Sequence, residues 1–192
     1  MSNPSVSLCS LGWSDYWAAA MEQVTYPGAE PARVIRRDRG WIRVATDDDV
    51  RLIEIAGQTG ELVTGDWVAV AGDRLVATLA RKGVLRRSGR GGVEQLLAAN
   101  VDIVLLVCGL DRPVTPGRIH RGAVQAWDAG ASALVVLNKA DLFEDAPAVC
   151  RAIADATPGL EMLTVSSKTG NGLETVREAI RGMTAVLSLI PI

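Results

Sequence analysis

Apolar spacing divides the chain into two halves. In the first, short runs rich in Val, Ile, Leu and Trp occupy residues 32–38, 40–46, 50–56, 66–71 and 74–80. Several alternate apolar and polar positions, the period of a half-buried strand. Asp38-Arg39-Gly40, Thr46-Asp47-Asp48-Asp49 and Ala71-Gly72-Asp73 supply turn chemistry between them, and 57–65 (GQTGELVTG) is a glycine-punctuated connection. Five short strands joined by tight turns predict a small closed barrel of the OB type. A short helix is expected around residues 13–22.

The second half changes period. Residues 101–108, 133–138, 161–166 and 184–190 are nearly continuous apolar runs. Strands of that kind are buried on both faces, as in a parallel sheet. Helical patterns alternate with them. In 117–129, Ile119, Ala123, Ala126 and Trp127 share a face, and Gly130 can close the helix. In 147–156, Pro147 suits a first helical position, and Val149 and Ile153 align. In 172–181, Leu173, Val176 and Ile180 form a stripe with Gly182 beyond it. Alternation of strand and helix predicts a doubly wound α/β domain. The expected division is an N-terminal segment with a short helix (1–30), a barrel (31–85), a basic linker (86–98) and a partial α/β domain (99–192).

Composition narrows the function classes. Of 192 residues, 48% are hydrophobic and 22% charged, enough for packed cores. The net charge of −2 argues against a uniformly basic nucleic-acid binder but allows a local patch. No apolar run approaches the ~20 residues of a membrane span. No signal peptide is read at the N-terminus. Cys9, Cys108 and Cys150 are odd in number and widely spaced, which suggests neither a disulfide framework nor a metal knuckle. A cytoplasmic home is expected.

Ligands of open α/β sheets bind at the carboxyl ends of strands. Two such ends carry polar motifs: Asn138-Lys139-Ala140-Asp141 and Ser166-Ser167-Lys168. A carboxylate at Asp141 can accept parallel hydrogen bonds from N1–H and the 2-amino group of guanine, two donors that adenine lacks. Charge-assisted bonds of this kind contribute roughly 1.5–3 kcal/mol each. Lys139 can lay its aliphatic stem along the base. Asn138 can tie the loop to its neighbours. A backbone N–H near Ser167 can meet guanine O6, and Lys168 can cover the other face. The plainer reading is that Asn138 and Asp141 cap a turn and Lys139 is a solvated charge. The second motif, one predicted helix later on the next strand, favours the site.

At this point the chain resembles a known family. GDWVAV (65–70), RKGVLRRSG (81–89), EQLLAANVDIVLLV (94–107), GRIHR (117–121), LNKADL (137–142) and VSSKTGNGL (165–173) are similar to the circularly permuted small-subunit ribosome biogenesis GTPases, the RsgA family. The resemblance runs from about residue 30 to about residue 187. It implies an OB barrel, then a P-loop-GTPase-like α/β domain in permuted order, with the guanine motifs ahead of the phosphate loop. It implies GTP or GDP as ligand, with Asn138, Lys139, Asp141, Ser166, Ser167 and Lys168 at the base. It also implies the small ribosomal subunit and its 16S rRNA as partners, with the protein acting as a monomer. Mg²⁺ and Zn²⁺ are expected only in a full-length member.

The chain departs from that pattern at its phosphate loop, which needs G-x-x-x-x-G-K-[ST]. The nearest stretch, Gly60 to Gly65, is followed by Asp66 and Trp67, lies in the predicted barrel, and is rejected. Where the family runs into that loop, this chain reads TAVLSLIPI. The expectation is therefore an incomplete α/β domain without catalytic or metal-binding residues of its own, not hydrolytic alone. A truncation, a shifted frame or a degenerate gene would each produce it.

Arg81, Lys82, Arg86, Arg87 and Arg90 form a run of basic charge with no intervening acid. It reads either as a patch for rRNA phosphates or as a solvated linker. Arg36, Arg37, Arg39 and Arg43 extend a basic face. Trp41 and Trp67 read as barrel core or base-stacking residues. Trp13, Tyr16 and Trp17 are expected to cover a barrel end, to pack on the second domain or to meet a partner. His120 is expected on a helix surface or at a domain contact. Asp47, Asp48 and Asp49 carry little promise of a metal site. Two rivals remain: an RNA-binding module with no nucleotide function, and a non-functional fragment.

Overall fold

The computed structural model describes residues 7–55, 60–89, 92–143 and 146–189. The chain forms two compact units, residues 1–100 and 101–192.

In the first unit a 3-10 turn (Leu8–Leu11) and helix α1 (Asp15–Glu22) precede seven strands: β1 (Glu30–Asp38), β2 (Trp41–Ala45), β3 (Val50–Glu54), β4 (Trp67–Ala71), β5 (Arg74–Thr78), β6 (Val84–Ser88) and β7 (Glu94–Ala99). The first five make one antiparallel sheet in the order β3-β2-β1-β4-β5. β1 is long enough to serve two neighbours. Glu30–Arg33 pair with β4 and Arg33–Asp38 with β2, and an irregularity between Val34 and Arg36 bends the strand between them. The outermost strands of that order, β3 and β5, approach one another.

Alternation puts Ala32, Val34, Ile42, Val44, Ile53, Val68, Val70 and Leu75 on one buried face with Leu62. Each large aliphatic side chain buried there contributes roughly 1.5–3 kcal/mol. A second cluster gathers Leu8, Trp17, Trp67 and Leu79, with Leu11, Trp13, Ala20 and Val24 against it. Trp13 meets Trp67 edge-on at 4.8 Å between ring centroids. Trp13 and Trp17 thus pack on Trp67, whereas Tyr16 is exposed. Trp41 does not join them and is 40% exposed.

Asp66 is fully buried. Its carboxylate accepts from Arg81 Nε at 2.6 Å, from Arg81 Nη2 at 2.7 Å and from the Val63 N–H at 2.8 Å. Gly65, beside it, has φ +94°, and a Cβ there would lie 2.1 Å from the Ala99 carbonyl oxygen. The 60–65 stretch is thus built for close backbone packing. Asn100 completes the seam. Its side chain donates to the Gly65 carbonyl at 3.0 Å and accepts from the Lys82 N–H at 2.8 Å.

The segment expected as a linker, 86–98, requires a correction. β6 and β7 pair as an antiparallel hairpin that buries Leu85, Ala98 and Ala99 in the first unit. Arg86, Arg87, Glu94 and Gln95 face outward, and their charge and polarity hid the strands.

The second unit alternates as its apolar runs predict: β8 (Ile103–Gly109), α2 (Pro116–Asp128), β9 (Ser132–Asn138), α3 (Ala146–Ala156), β10 (Glu161–Thr164), α4 (Leu173–Ala179) and β11 (Ala185–Leu189). The sheet is parallel throughout, in the order β10-β9-β8-β11. Ile103, Leu105, Leu134, Val136 and Val165 form one core with Leu173, Val176 and Ile180 of the α4 segment. From α2, Ile119, Ala123 and Ala126 are buried, and Gly122 lets the helix approach Leu106: an added Cβ would meet its side chain at 2.8 Å. Trp127, expected on that face, is 52% exposed instead. The helix ends as expected at Gly130 (φ +76°), with Gly130 N–H on Trp127 O and Ala131 N–H on Ala126 O. His120 Nε2 lies 3.2 Å from the Ala156 carbonyl, tying α2 to the end of α3. Among the described residues no helix is long and apolar enough to cross a membrane.

Removing one member of a buried ion pair leaves the other uncompensated and costs about 3 kcal/mol or more. Asp66→Ala should therefore destabilise the first unit by about 3 kcal/mol. Urea unfolding followed by tryptophan fluorescence measures this, because Trp13, Trp17 and Trp67 all report on that unit.

Candidate guanine-binding site

Three loops leave the carboxyl ends of β8, β9 and β10, at the same edge of the parallel sheet. The motif residues sit on the last two.

Asn138 ends β9 and does most of the joining. Its Oδ1 accepts the Lys139 N–H at 2.7 Å and the Ser167 N–H at 2.9 Å. Its Nδ2 donates to Ser167 Oγ at 3.1 Å. One side-chain amide thus holds two loops 29 residues apart in sequence. The chain then turns sharply. Lys139 takes left-handed backbone angles (φ +67°, ψ +33°), a conformation costing an ordinary residue roughly 1–2 kcal/mol. The bond to Asn138 offsets part of that cost, as does the Ala140 N–H on the Val165 carbonyl at 3.1 Å. Asp141 follows in a 3-10 turn (Ala140–Leu142) and is exposed.

In the second loop Ser166 is buried, and its hydroxyl donates to Asp141 Oδ1 at 2.6 Å. Ser166 Oγ in turn accepts the Thr169 N–H at 3.2 Å. Asp141 Oδ2 accepts no hydrogen bond among the described residues. Ser166 thereby fixes the carboxylate by one oxygen and leaves the other for a ligand. Gly172 keeps the loop tight: its φ is +73°, and an added Cβ would lie 2.5 Å from the Thr164 carbonyl oxygen.

Five of the six predicted residues, Asn138, Lys139, Asp141, Ser166 and Ser167, are therefore joined by these bonds, and Lys168 follows Ser167 in the second loop. Of the backbone N–H groups near Ser167, one of which is expected to meet guanine O6, that of Ser167 itself is taken by Asn138. The neighbouring Lys168 N–H has no hydrogen-bond partner among the described residues.

Sequence reasoning missed the third loop. Asp111, just past β8, meets Lys139 Nζ through Oδ2 at 2.5 Å. That hydrogen bond holds the Asp111 carboxyl below the usual carboxylate range. With the folded-state value lowered, the pair is still formed at the ordinary carboxylate pKa of about 4 and is lost only as pH falls on through the lowered value. The available signal was position alone, an acid at the carboxyl end of a predicted strand.

The basic run is less free than its spacing suggests. Arg81 is held by Asp66 and the Glu61 carbonyl. The Lys82 ammonium sits 4.6 Å from the Tyr16 ring centroid and 5.1 Å from that of Trp17. Arg86 and Arg87 remain at the hairpin surface, near Glu94 (3.3 Å) and Gln95 (2.7 Å). Arg90 lies outside the described residues. Partners distant in sequence consumed Arg81 and Lys82, which a linear count of charges does not show.

Among the described residues no group of three or more His, Cys, Asp or Glu side chains could hold a metal ion. Within the acidic turn, Asp47 accepts the Leu8 N–H at 2.8 Å, and Asp49 accepts from Thr46 Oγ1 and Arg51.

A solved structure of YjeQ from Thermotoga maritima superposes with a TM-score of 0.67 at 24% identity, covering 83% of this chain and 60% of that one. A second, titled YloQ, a circularly permuted GTPase, gives 0.64 at 19% identity, covering 87% and 61%. At such identities these neighbours establish the fold. The small ribosomal subunit biogenesis GTPase RsgA of Streptomyces coelicolor is 38% identical over 94% of this chain and 53% of its own length. Its counterpart in Syntrophotalea carbinolica is 32% identical over 95% and 56%. The chain thus spans about half the length of the curated relatives it matches. The RsgA GTPase family model matches residues 78–188, more than half of the chain and all three loops, and on that match the chain belongs to the RsgA GTPase family.

Proposed function

We propose that this chain is the guanine-reading part of a GTPase that assists maturation of the small ribosomal subunit, with an RNA-binding barrel ahead of it. The observation that carries the guanine reading is the pair of bonds linking the loops, Asn138 to Ser167 and Ser166 to Asp141. They hold the Asp141 carboxylate, with one oxygen accepting no hydrogen bond, in the same loop cluster as Lys168, whose backbone N–H has no partner among the described residues. Guanine offers a complementary edge, with donors at N1 and the 2-amino group and an acceptor at O6. Adenine reverses that pattern and would leave Asp141 unpaired, a difference on which strong discrimination is built. Within these 192 residues no G-x-x-x-x-G-K-[ST] stretch exists to grip phosphates. Phosphoryl transfer depends on such positioning, so the chain alone is expected to bind guanine nucleotide weakly and not to hydrolyse it.

The first unit supports an OB-type barrel in its strand order, its long shared β1, and the approach of β3 to β5. Its outer face supports RNA binding better than the hairpin does. Arg36 and Arg43 are direct cross-strand partners. Like charges in that register repel unless an anion lies between them. Arg36 is paired with Asp38 at 2.9 Å, whereas Arg43 has no ion-pair partner among the described residues. Trp41, two positions from Arg43 on the same strand face, is exposed. A stacking ring beside phosphate-binding guanidinium groups suits single-stranded RNA.

Two outcomes test these readings. With fluorescent GDP, unlabelled GTP should compete and ATP should not. Asp141→Asn should weaken GDP at least about tenfold while favouring xanthosine diphosphate, whose C2 carbonyl accepts from the new amide. Equal competition by ATP and GTP would overturn base reading. For RNA, Trp41→Ala with Arg43→Glu should weaken binding of a single-stranded oligonucleotide about five- to tenfold at low salt. A larger loss on charge reversal at Arg86 and Arg87 would return the RNA surface to the hairpin.

A further inference from the structure

Lys139 is pinned at both ends. Its backbone N–H is bound to Asn138, and its ammonium reaches across to the loop after β8, where Asp111 Oδ2 lies 2.5 Å away. The loop after β8 is itself anchored to the site, because the Leu110 N–H donates to the Asn138 carbonyl at 2.9 Å. Gly109 makes the contact feasible. An added Cβ there would stand 2.4 Å from Asp111 Oδ1 and 3.6 Å from Lys139 Cδ. A side chain at residue 109 would crowd the carboxylate in the position from which it meets Lys139, so Asp111 would have to shift.

From this geometry we infer that Asp111 is a positioning residue of the guanine site, holding the Lys139 stem extended as a preformed platform for the base, with the loop after β8 as the third wall. The inference rests on the guanine reading proposed above and goes beyond it by assigning Asp111 and Gly109 to the site. A free lysine loses much rotamer freedom when it is laid along a ligand. Tethering its ammonium beforehand moves that loss into folding, so binding a base requires less ordering. Asp111 touches no guanine atom in this role. It therefore affects how tightly guanine nucleotides bind and not which purine is preferred, since that choice belongs to Asp141.

The test uses the whole 192-residue chain with GDP and with inosine diphosphate, which lacks the 2-amino group. Asp111→Asn should weaken both about three- to fivefold, the range of an exposed ion pair, and leave their ratio unchanged. Gly109→Ala should weaken both in the same way, and Asp111→Glu should stay closer to the unaltered chain than Asp111→Asn. In the free protein, acetic anhydride labelling read by mass spectrometry should modify Lys139 faster in Asp111→Asn, because its amine has lost its partner. Unchanged or tighter GDP binding by Asp111→Asn would overturn the inference while sparing the guanine site. A change in the GDP-to-inosine-diphosphate ratio would overturn it too, by making Asp111 a reader of the base. Failure of the unaltered chain to bind GDP at all would remove the guanine reading itself, and the inference with it.

Discussion

The side-chain amide of Asn138 is the constraint on which the candidate site depends. It is short and planar, and it carries an acceptor and a donor at one end. The acceptor receives two backbone N–H groups, one from its own loop and one from the loop after β10, and the donor meets Ser167 Oγ. Those bonds hold Lys139 in a left-handed conformation that an ordinary residue avoids. With the backbone turned there, Asp141 comes round to Ser166, and the Lys139 side chain comes round to Asp111. Aspartate at 138 could accept but not donate, and glutamine would carry the same groups too far from the strand.

The first unit uses comparable means for a different end. Asp66 and Asn100 are buried polar groups, each meeting several partners from distant segments. Buried carboxylates and amides are costly unless satisfied. No buried side-chain nitrogen or oxygen among the described residues lacks a partner. These contacts join the 60–65 stretch, the start of β4, residues 81–83 and the end of β7. They also explain motifs that belong to the family resemblance without touching any ligand. The Gly-Asp of GDWVAV and the Asn of LAANVD are packing devices. Asp102, next in the latter motif, binds the Thr184 N–H at 2.7 Å and so sets β11 beside β8.

Several residues separated by role only once the fold was known. Trp41 and Trp67 look alike as strand tryptophans, yet one is buried under α1 and the other faces solvent. The run from Arg81 to Arg90 looks uniformly basic, yet Arg81 serves a buried carboxylate and Lys82 sits over two aromatic rings. Trp127 carries the right spacing for the α2 face and still points outward. Its inner positions are taken by smaller residues that let the helix lie close to the sheet, as Gly122 against Leu106 shows.

What the sequence determined by itself was local and periodic. Alternation in the first half and continuous apolar runs in the second placed the five strands of the antiparallel sheet and all four of the parallel one, each within a few residues. Burial follows directly from side-chain period. NKAD and SSK were legible because their chemistry is written in consecutive residues at strand ends. The tertiary structure alone decided what depends on residues far apart in the chain. It made β6 and β7 a hairpin where charge suggested a linker, gave the Ser167 N–H to Asn138, and brought Asp111 to Lys139 across 28 positions. The physical reason is the same in each case: a hydrogen bond or ion pair needs its partner within about 3 Å, and sequence distance says nothing of that until the sheet has set the loops side by side.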